Sequence, residues 1–149
     1  MAIVKSSVEI NGPLERVYAL AKDIEAFPEF MPDLKSVKIV ERSEDGSRIV
    51  SEWVGIVKEF KLNVKWTEED IWDEAAGTCT FSLVKGDYSK YSGVWKFTDL
   101  GGTTRFDSEI DVEYEVPLIG ALIKGLIAKL MKQNVESMLA AVKAKAESA

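Results

Sequence analysis

Few side chains in this chain could carry acid–base chemistry, because none of its 149 residues is a histidine. That absence removes the commonest general base, the usual partner of a catalytic serine or cysteine, and the usual zinc ligand. The remaining candidates for a positioned acid, base or charge are Glu68, Asp70, Tyr91, Arg105 and Tyr114. A carboxyl among them would need burial, because burial raises its pKa and lets it exchange a proton near neutral pH.

Glu68 is the most interesting of these candidates because of its place in a strand pattern. Apolar residues alternate with polar ones from Phe60 to Trp66, and the same parity carries Glu68 to the inner face. A buried Glu68 would be a weak candidate for a catalytic acid or base. The alternative, which we favour, is that Glu68, Glu69 and Asp70 lie in water at a fraying strand end.

Two other patterns have a chemical interpretation that the sequence favours less. Ser108 is predicted to face inward, but a serine without a base is a poor nucleophile. A run of alternating carboxylates could suggest a metal site, but side chains two apart are spread along a strand, so we expect a solvated outer surface. We therefore predict no metal and no cofactor. These carboxylates are Asp107, Glu109, Asp111, Glu113 and Glu115.

Composition and charge restrict the class of protein. The net charge of −6 disfavours nucleic acid as a partner, because nucleic-acid binding needs a basic face. The single cysteine, Cys79, allows no internal disulfide and suits a reducing compartment. No signal-peptide pattern is present, and the apolar run LIGALIKGLIAKLM is too short for a membrane span of about 20 residues. We therefore expect one domain in a cytoplasmic protein.

Period-two alternation predicts about seven strands, joined by short turns such as EDGS, EAAG, KGDYSK and LGGT. Strands joined by short turns pair antiparallel, and clean alternation gives the sheet one apolar face. The predicted strands are residues 4–10, 34–39, 48–57, 60–67, 78–83, 91–97 and 105–114.

Helical periodicity accounts for most of the remaining chain. A first helix is predicted after Pro13, and a second short helix starts near Phe27 in the Pro-interrupted segment FPEFMP. Apolar residues at i, i+3 and i+4 spacing predict one long helix from residue 117 to about residue 146, roughly 42 Å in length. The economical arrangement is an α+β fold, in which a curved antiparallel sheet wraps this C-terminal helix.

Large aromatic side chains dominate the predicted inner face of the sheet. A strongly curved sheet cannot lie flush along a straight helix, so we expect these side chains to line a gap. The alternative is that they fill a core, which is the usual role of aromatics in strands. Gly55 and Gly93 on the same face would make room for a guest or mark bends in the sheet. The aromatic set is Trp53, Phe60, Trp66, Phe81, Tyr91, Trp95, Phe97, Phe106 and Tyr114.

Two stretches resemble a known superfamily, DIEAFPEFMPDLKSVKIVERSEDG and LVKGDYSKYSGVWKFTDLGGTTRFDSEIDVEYEVPLIG. They are similar to the coenzyme-Q-binding and polyketide-cyclase branch of the START-like (helix-grip, SRPBCC) superfamily. The resemblance covers nearly the whole chain and implies one START-like domain over residues 1–149 with the order β-α-α-β6-α. It also implies a deep pocket between the sheet and the C-terminal helix for an isoprenoid quinone, a lipid or a polyketide, with residues 27–34 at its rim.

Three functions follow from these expectations. The first is a carrier or chaperone, since concealing an apolar ligand from water needs no catalytic group. The second is an enzyme of polyketide cyclase or dehydratase type, which we favour less because no convincing catalytic constellation is present. The third is an interaction protein like the ribosome-association toxins of this branch, which the acidic charge disfavours.

The predicted partner is a small hydrophobic ligand, with transient contact between the rim and a membrane as a weaker hypothesis. The sequence leaves the ligand's identity and the oligomeric state open. The predicted ligand-binding residues are Phe27, Phe30, Met31, Trp53, Trp66, Phe81, Tyr91, Trp95, Phe106, Ile110, Leu122, Leu126 and Met131.

Overall fold

The computed structural model describes residues 2–57, 61–113 and 121–148, with the side chains of Ala2, Leu62 and residues 121–127 excepted. Phe60, Tyr114 and the predicted helix start at residue 117 therefore lie outside the described residues. Among the described residues, no helix is long and apolar enough to cross a membrane.

In residues 2–57, 61–113 and 121–148, seven strands and three helical segments follow one another in the predicted order, strand, two helices, six strands, helix. The chain thus has the helix-grip arrangement that the sequence predicts. The elements are β1 (Ala2–Ile10), α1 (Leu14–Lys22), a 3-10 helix (Ile24–Glu29), β2 (Leu34–Arg42), β3 (Arg48–Val57), β4 (Leu62–Asp73), β5 (Thr78–Gly86), β6 (Lys90–Asp99), β7 (Thr104–Glu113) and α2 (Ala121–Glu147).

The second helical segment is a 3-10 helix, which has fewer residues per turn than an α-helix, and it begins earlier than predicted. Its first bond runs from the N–H of Ala26 to the carbonyl of Asp23, directly after α1, so the predicted start near Phe27 is wrong. Pro28 is tolerated because so short a segment needs few N–H donors. Ile24 and Phe27 are fully buried, so this segment closes one end of the core.

All seven strands form one antiparallel sheet in the order β1-β7-β6-β5-β4-β3-β2. Strands β2 to β7 form a meander, and β1 pairs with the free edge of β7. β4 continues to Asp73 and stays paired with β3 and β5 along the acidic run at residues 68–70. The register between β4 and β5 shifts between Thr67 and Glu68, which bends the sheet at that point.

Two inner-face glycines make room for aromatic rings. A Cβ at Gly93 would lie 2.7 Å from the ring of Phe81, and a Cβ at Gly55 would lie 3.3 Å from the ring of Trp66. The space that each glycine leaves is therefore taken by the protein's own side chain.

Helix α2 packs across the sheet with a buried stripe that includes Leu130, Val135, Leu139 and Val142. Its last turns are fastened to the start of the chain. The Lys143 ammonium donates to the carbonyl of Glu9 at 2.8 Å and to the carboxylate of Glu147 at 2.7 Å. The backbone N–H of Asn11 donates to the same Glu147 carboxylate at 2.8 Å.

The core is an aromatic network with Trp95 at its centre. Its ring lies 5.4 Å from Phe106, 5.7 Å from Phe81, 6.2 Å from Trp72 and 6.3 Å from Phe27, between ring centroids. Each such pair stabilises the fold by about 0.5–1.5 kcal/mol beyond the burial of its surface. Much of the interior between the sheet and α2 is thus filled by the side chains that were predicted to line a gap.

Candidate functional site

A cavity of about 90 Å³ remains between the sheet, the segment after the 3-10 helix, and α2. Its wall is largely apolar and aromatic, with one glutamate on the sheet side. Within the described part of the chain, the lining residues are Met31, Pro32, Asp33, Leu34, Trp53, Gly55, Ile56, Val57, Val64, Trp66, Glu68, Phe81, Tyr88, Tyr91, Trp95, Ile110, Met131, Asn134, Val135, Ser137 and Met138.

The cavity is small because aromatic rings occupy the space around it. Trp53 and Trp66 are stacked with ring centroids 5.7 Å apart, and Tyr88 and Tyr91 are stacked at 5.0 Å. The volume is below the roughly 150 Å³ of an engineered cavity that binds benzene. It is also below the approximately 300–1,000 Å³ of pockets for drug-sized ligands. A ligand larger than a few heavy atoms therefore requires lining side chains to move.

The α2 side of the cavity offers side chains that can move. Met131 and Met138 belong to the lining, and methionine adapts to irregular shapes because it is unbranched and has three rotatable bonds. The Tyr88 hydroxyl donates to the Met131 sulfur across this wall at 3.7 Å, and sulfur is a weak acceptor. The wall on the sheet side is held by the stacked rings, so enlargement by side-chain movement is easier on the α2 side.

The structure brings most of the predicted ligand-binding residues to this cavity. Their role in binding stays a prediction, but their position in the wall is an observation. Those in the lining are Met31, Trp53, Trp66, Phe81, Tyr91, Trp95, Ile110 and Met131.

Three predicted residues do not line the cavity. Phe27 and Phe106 are fully buried behind it and pack against Trp95. Phe30 packs edge-on against Phe27 at 6.0 Å, and the Lys145 ammonium lies 5.9 Å from its ring. The lining part of the predicted rim is therefore residues 31–34, because the 3-10 helix turns residues 27–30 away from the cavity. The side chains of Leu122 and Leu126 lie outside the described residues.

Sequence reasoning missed several lining residues. Val64 shares its strand face with Trp66, so the parity argument could have found it. Val135 and Met138 follow Met131 at helical spacing, which is a similar signal. Tyr88 lies in a predicted turn, and nothing in the local pattern indicates that its side chain folds back over the cavity.

Glu68 and Asp70 form a buried carboxyl pair, which corrects the favoured expectation that they lie in water. Glu68 is 4% exposed and Asp70 is 2% exposed. The expectation was wrong because β4 does not fray after Thr67 but runs to Asp73, so the inward parity continues through both residues. Glu68 is the lining residue of the two, and its Oε1 accepts a hydrogen bond from the Trp66 indole N–H at 2.8 Å.

The pair retains a proton. Burial raises the pKa of Glu68 well above its usual range, and the neighbouring Asp70 raises it further. Burial also raises the pKa of Asp70, although the hydrogen bond from Glu68 opposes that shift. The two carboxyls therefore share a proton, and its titration belongs to the pair.

Nearby groups stay protonated for the same reason. Burial, and then the charge of Glu68, raises the pKa of Tyr91 well above its usual range. Burial, with smaller effects from Asp70 and Glu68, also raises the pKa of the Cys79 thiol. A thiol that stays protonated is a poor nucleophile, so this region is suited to neutral hydrogen bonding more than to covalent chemistry.

The other chemical candidates lie away from the cavity. Arg105 is on the outer face of β7, where its guanidinium donates to Asp107 at 3.0 Å. On the same face, the Lys90 ammonium is 2.8 Å from Asp111 and Lys5 is 3.7 Å from Glu109. These described outer carboxylates thus pair with basic side chains. Ser108 faces inward as predicted and is buried.

Comparison with known proteins identifies the family. The family model described as "Polyketide cyclase / dehydrase and lipid transport" matches residues 10–139. The chain belongs to the polyketide cyclase/dehydrase and lipid transport family. This membership confirms the predicted polyketide-cyclase branch of the START-like superfamily and marks the chain as a domain for hydrophobic ligands.

Individual solved structures are similar to this chain over most of its length. The crystal structure of TTHA0849 from Thermus thermophilus is 34% identical with a TM-score of 0.91, and the match covers 98% of this chain and 97% of that one. The Zhui aromatase/cyclase from a Streptomyces species is 18% identical with a TM-score of 0.88, covering 97% and 93% of the two chains. The second likeness shows the fold alone.

Among curated relatives, the persistence and stress-resistance toxin PasT of Escherichia coli O6:H1 (strain CFT073) is 29% identical over 126 residues. The match covers 79% of this chain and 75% of PasT. The proteins that this chain resembles thus carry names of very different kinds, and none of these names assigns a function to it.

Proposed function

We propose that this protein binds a small hydrophobic ligand in the cavity between the sheet and α2, and acts as its carrier or chaperone. The observation that carries the proposal is the apolar, aromatic-lined cavity itself. Burial of apolar ligand surface contributes about 25 cal/mol per Å², so roughly 200 Å² of ligand surface would contribute about 5 kcal/mol. Concealment of this kind needs no catalytic group.

A short-chain isoprenoid benzoquinone, ubiquinone-1, is a suitable probe. Trp53, Trp66 and Trp95 all line the cavity, so a bound quinone should quench their fluorescence. Titration of the wild-type protein should give saturable quenching.

Val64→Phe tests the location of binding. Val64 is buried in the cavity wall on β4, and the larger side chain should fill the cavity and weaken ubiquinone-1 binding at least about tenfold. Ile71→Phe is the matched control, since Ile71 is 41% exposed on the same strand and should tolerate the change. Circular dichroism would verify that both variants are folded. Equal affinity in Val64→Phe and wild type would place the ligand elsewhere and overturn the proposal.

A second candidate function is a reaction of polyketide cyclase or dehydratase type. The observation that favours it is the buried Glu68, a protonated carboxyl in the cavity wall that could serve as a general acid. Turnover of a linear poly-β-ketone analogue, lost in Glu68→Gln while ubiquinone-1 binding persists, would support this candidate over simple carriage. Absence of turnover in the wild-type protein would reject it.

A further inference from the structure

Glu68 is placed where a ligand would meet it. It lies in the cavity wall among the aromatic residues Trp66, Tyr91 and Trp95, and the register shift at Thr67 and Glu68 bends β4 at this point. Its Oε1 accepts from Trp66, and it is hydrogen-bonded to Asp70, so the carboxyl group is held in one orientation. A largely apolar wall thus contains a buried polar group in a fixed orientation, with a second carboxyl behind it.

Other polar atoms in the cavity wall or behind it have no hydrogen-bond partner among the described residues. The indole N–H of Trp95, a cavity-lining residue that is 7% exposed, has no hydrogen-bond partner in the described part of the chain. The same holds for one carboxyl oxygen of Asp70 and for the hydroxyl of Ser108, which is paired with Trp95 across β6 and β7. Leaving a buried donor or acceptor unpaired costs about 1–3 kcal/mol, so a ligand atom that satisfies one of them gains affinity.

The charges around the cavity restrict what that ligand atom can be. Glu68 and Asp33 are acidic, and none of the described lining residues is a lysine or an arginine. A ligand carboxylate would be buried beside carboxyl groups without a cation, which is strongly unfavourable. An uncharged oxygen meets no such penalty and can exchange hydrogen bonds with a carboxyl or an indole N–H.

We propose that Glu68, held in place by Asp70 behind it, is the polar subsite of the cavity, which binds the uncharged hydroxyl or carbonyl oxygen of a hydrophobic ligand and rejects a carboxylate. This inference rests on the proposed ligand-binding function and specifies its ligand class. Oxygenated neutral molecules such as phenols, enols and quinones belong to that class, whereas fatty acids do not.

Four probes with one apolar body test the subsite at pH 7, by calorimetric titration of the wild-type protein. They are butylbenzene, 4-butylphenol, 4-butylbenzoate and 4-butylbenzylamine. The phenol should bind roughly 3- to 10-fold more tightly than butylbenzene, as expected for one net hydrogen bond. The benzoate should bind at least about tenfold more weakly than the phenol. Tighter binding of the benzoate or of the amine than of the phenol would overturn the assignment.

Variants at position 68 test whether Glu68 causes the preference for the phenol over butylbenzene. Glu68→Leu should lose the preference for the phenol over butylbenzene, whereas Glu68→Gln, which keeps an amide carbonyl and donor, should retain it. Glu52→Leu is the control, because Glu52 is exposed on the adjacent strand and should change nothing. An unchanged phenol preference in Glu68→Leu would overturn the subsite.

The result also separates this inference from the proposed function. If wild-type protein binds butylbenzene but shows no preference for the phenol, the subsite is wrong and ligand binding stands. If neither butylbenzene nor the phenol binds, ligand binding in this cavity is wrong, and the subsite fails with it. Should Glu68→Leu not fold, the wild-type comparison and Glu68→Gln still decide the outcome.

Discussion

At the scale of single residues, the most consequential feature is a carboxyl group that remains protonated inside the protein. Glu68 and Asp70 face an aromatic interior and are hydrogen-bonded to each other. Glu68 also accepts a hydrogen bond from the indole N–H of Trp66. Burial disfavours the charged form of a carboxyl because the interior cannot replace its hydration. The folded state therefore holds a proton that the unfolded chain releases above pH about 4.3.

This proton makes stability depend on pH in a definite direction. Because folded Glu68 binds a proton that the unfolded residue has lost, the free energy of unfolding should fall as pH rises above about 4.3, by up to about 1.4 kcal/mol per pH unit until folded Glu68 itself ionises. Glu68→Gln removes this titration. The thermal midpoint of this variant, measured in steps from pH 4 upward, should therefore rise relative to that of the wild type until folded Glu68 ionises.

The control for this prediction is Glu52→Gln, since Glu52 is exposed on β3. The thermal midpoint of Glu52→Gln should change with pH in the same way as the thermal midpoint of the wild type. Parallel curves for Glu68→Gln and wild type would show that Glu68 ionises in the folded protein at an ordinary pH.

At the scale of elements, the strands position the site through two departures from regular pairing. The register shift between β4 and β5 bends the sheet at Glu68, and the missing side chain at Gly93 lets the ring of Phe81 lie against β6. The bend directs the Glu68 carboxyl toward the cavity. The space at Gly93 determines how close the Phe81 ring of the aromatic wall lies to β6. Both depend on the backbone of β4, β5 and β6 more than on any single contact.

Gly93→Ala should be strongly destabilising for this reason. The new methyl group would lie 2.7 Å from the Phe81 ring and against the carbonyl of Glu109, so β6 or Phe81 must shift. We expect a loss of about 1–3 kcal/mol in the free energy of unfolding, measured by urea denaturation. Gly12→Ala meets nothing closer than 4.0 Å and should change stability by less than about 0.5 kcal/mol. Equal losses in the two variants would contradict this account of Gly93.

The sequence predicts the elements well because the alternation in most strands is regular. The inner and outer faces of β3, β6 and β7 follow directly from period two, as Trp53, Trp95 and Phe106 illustrate. The end of β4 was mispredicted because its inward positions change from apolar to acidic after Trp66. Trp72 is the next apolar residue at an inward position of β4, and only its burial shows that every second residue continues to face the interior.

The candidate site is predicted less completely, because composition does not distinguish a side chain that lines a cavity from one that packs behind it. Phe106 and Trp95 both face inward from their strands, yet Phe106 is fully buried and Trp95 reaches the cavity. That difference depends on how the sheet bends and on where α2 lies. Both are properties of long-range packing, which local patterns do not contain.

At the scale of the whole molecule, ligand binding and folding stability are linked. A ligand that binds only the folded state stabilises it by about 2.7 kcal/mol when its concentration is 100 times its dissociation constant. For a chain of this length, that corresponds to a rise of about 5–10 °C in the thermal midpoint.

Ubiquinone-1 should therefore raise the midpoint of the wild type and of Ile71→Phe by similar amounts, and that of Val64→Phe by much less. Differential scanning fluorimetry at several ligand concentrations measures these shifts. A similar rise in all three proteins would indicate binding outside the cavity.

The attachment of α2 has a mechanical consequence. Lys143 and Glu147 anchor its final turns to Glu9 and Asn11, whereas the cavity lies against Met131 to Met138, in the middle of the helix. Displacement about a fixed point grows with distance from it, so a small tilt of α2 about these contacts would move the stretch beside the cavity more than the final turns. A tilt of this kind would widen the space over the tryptophans while the contacts of Lys143 and Glu147 are kept.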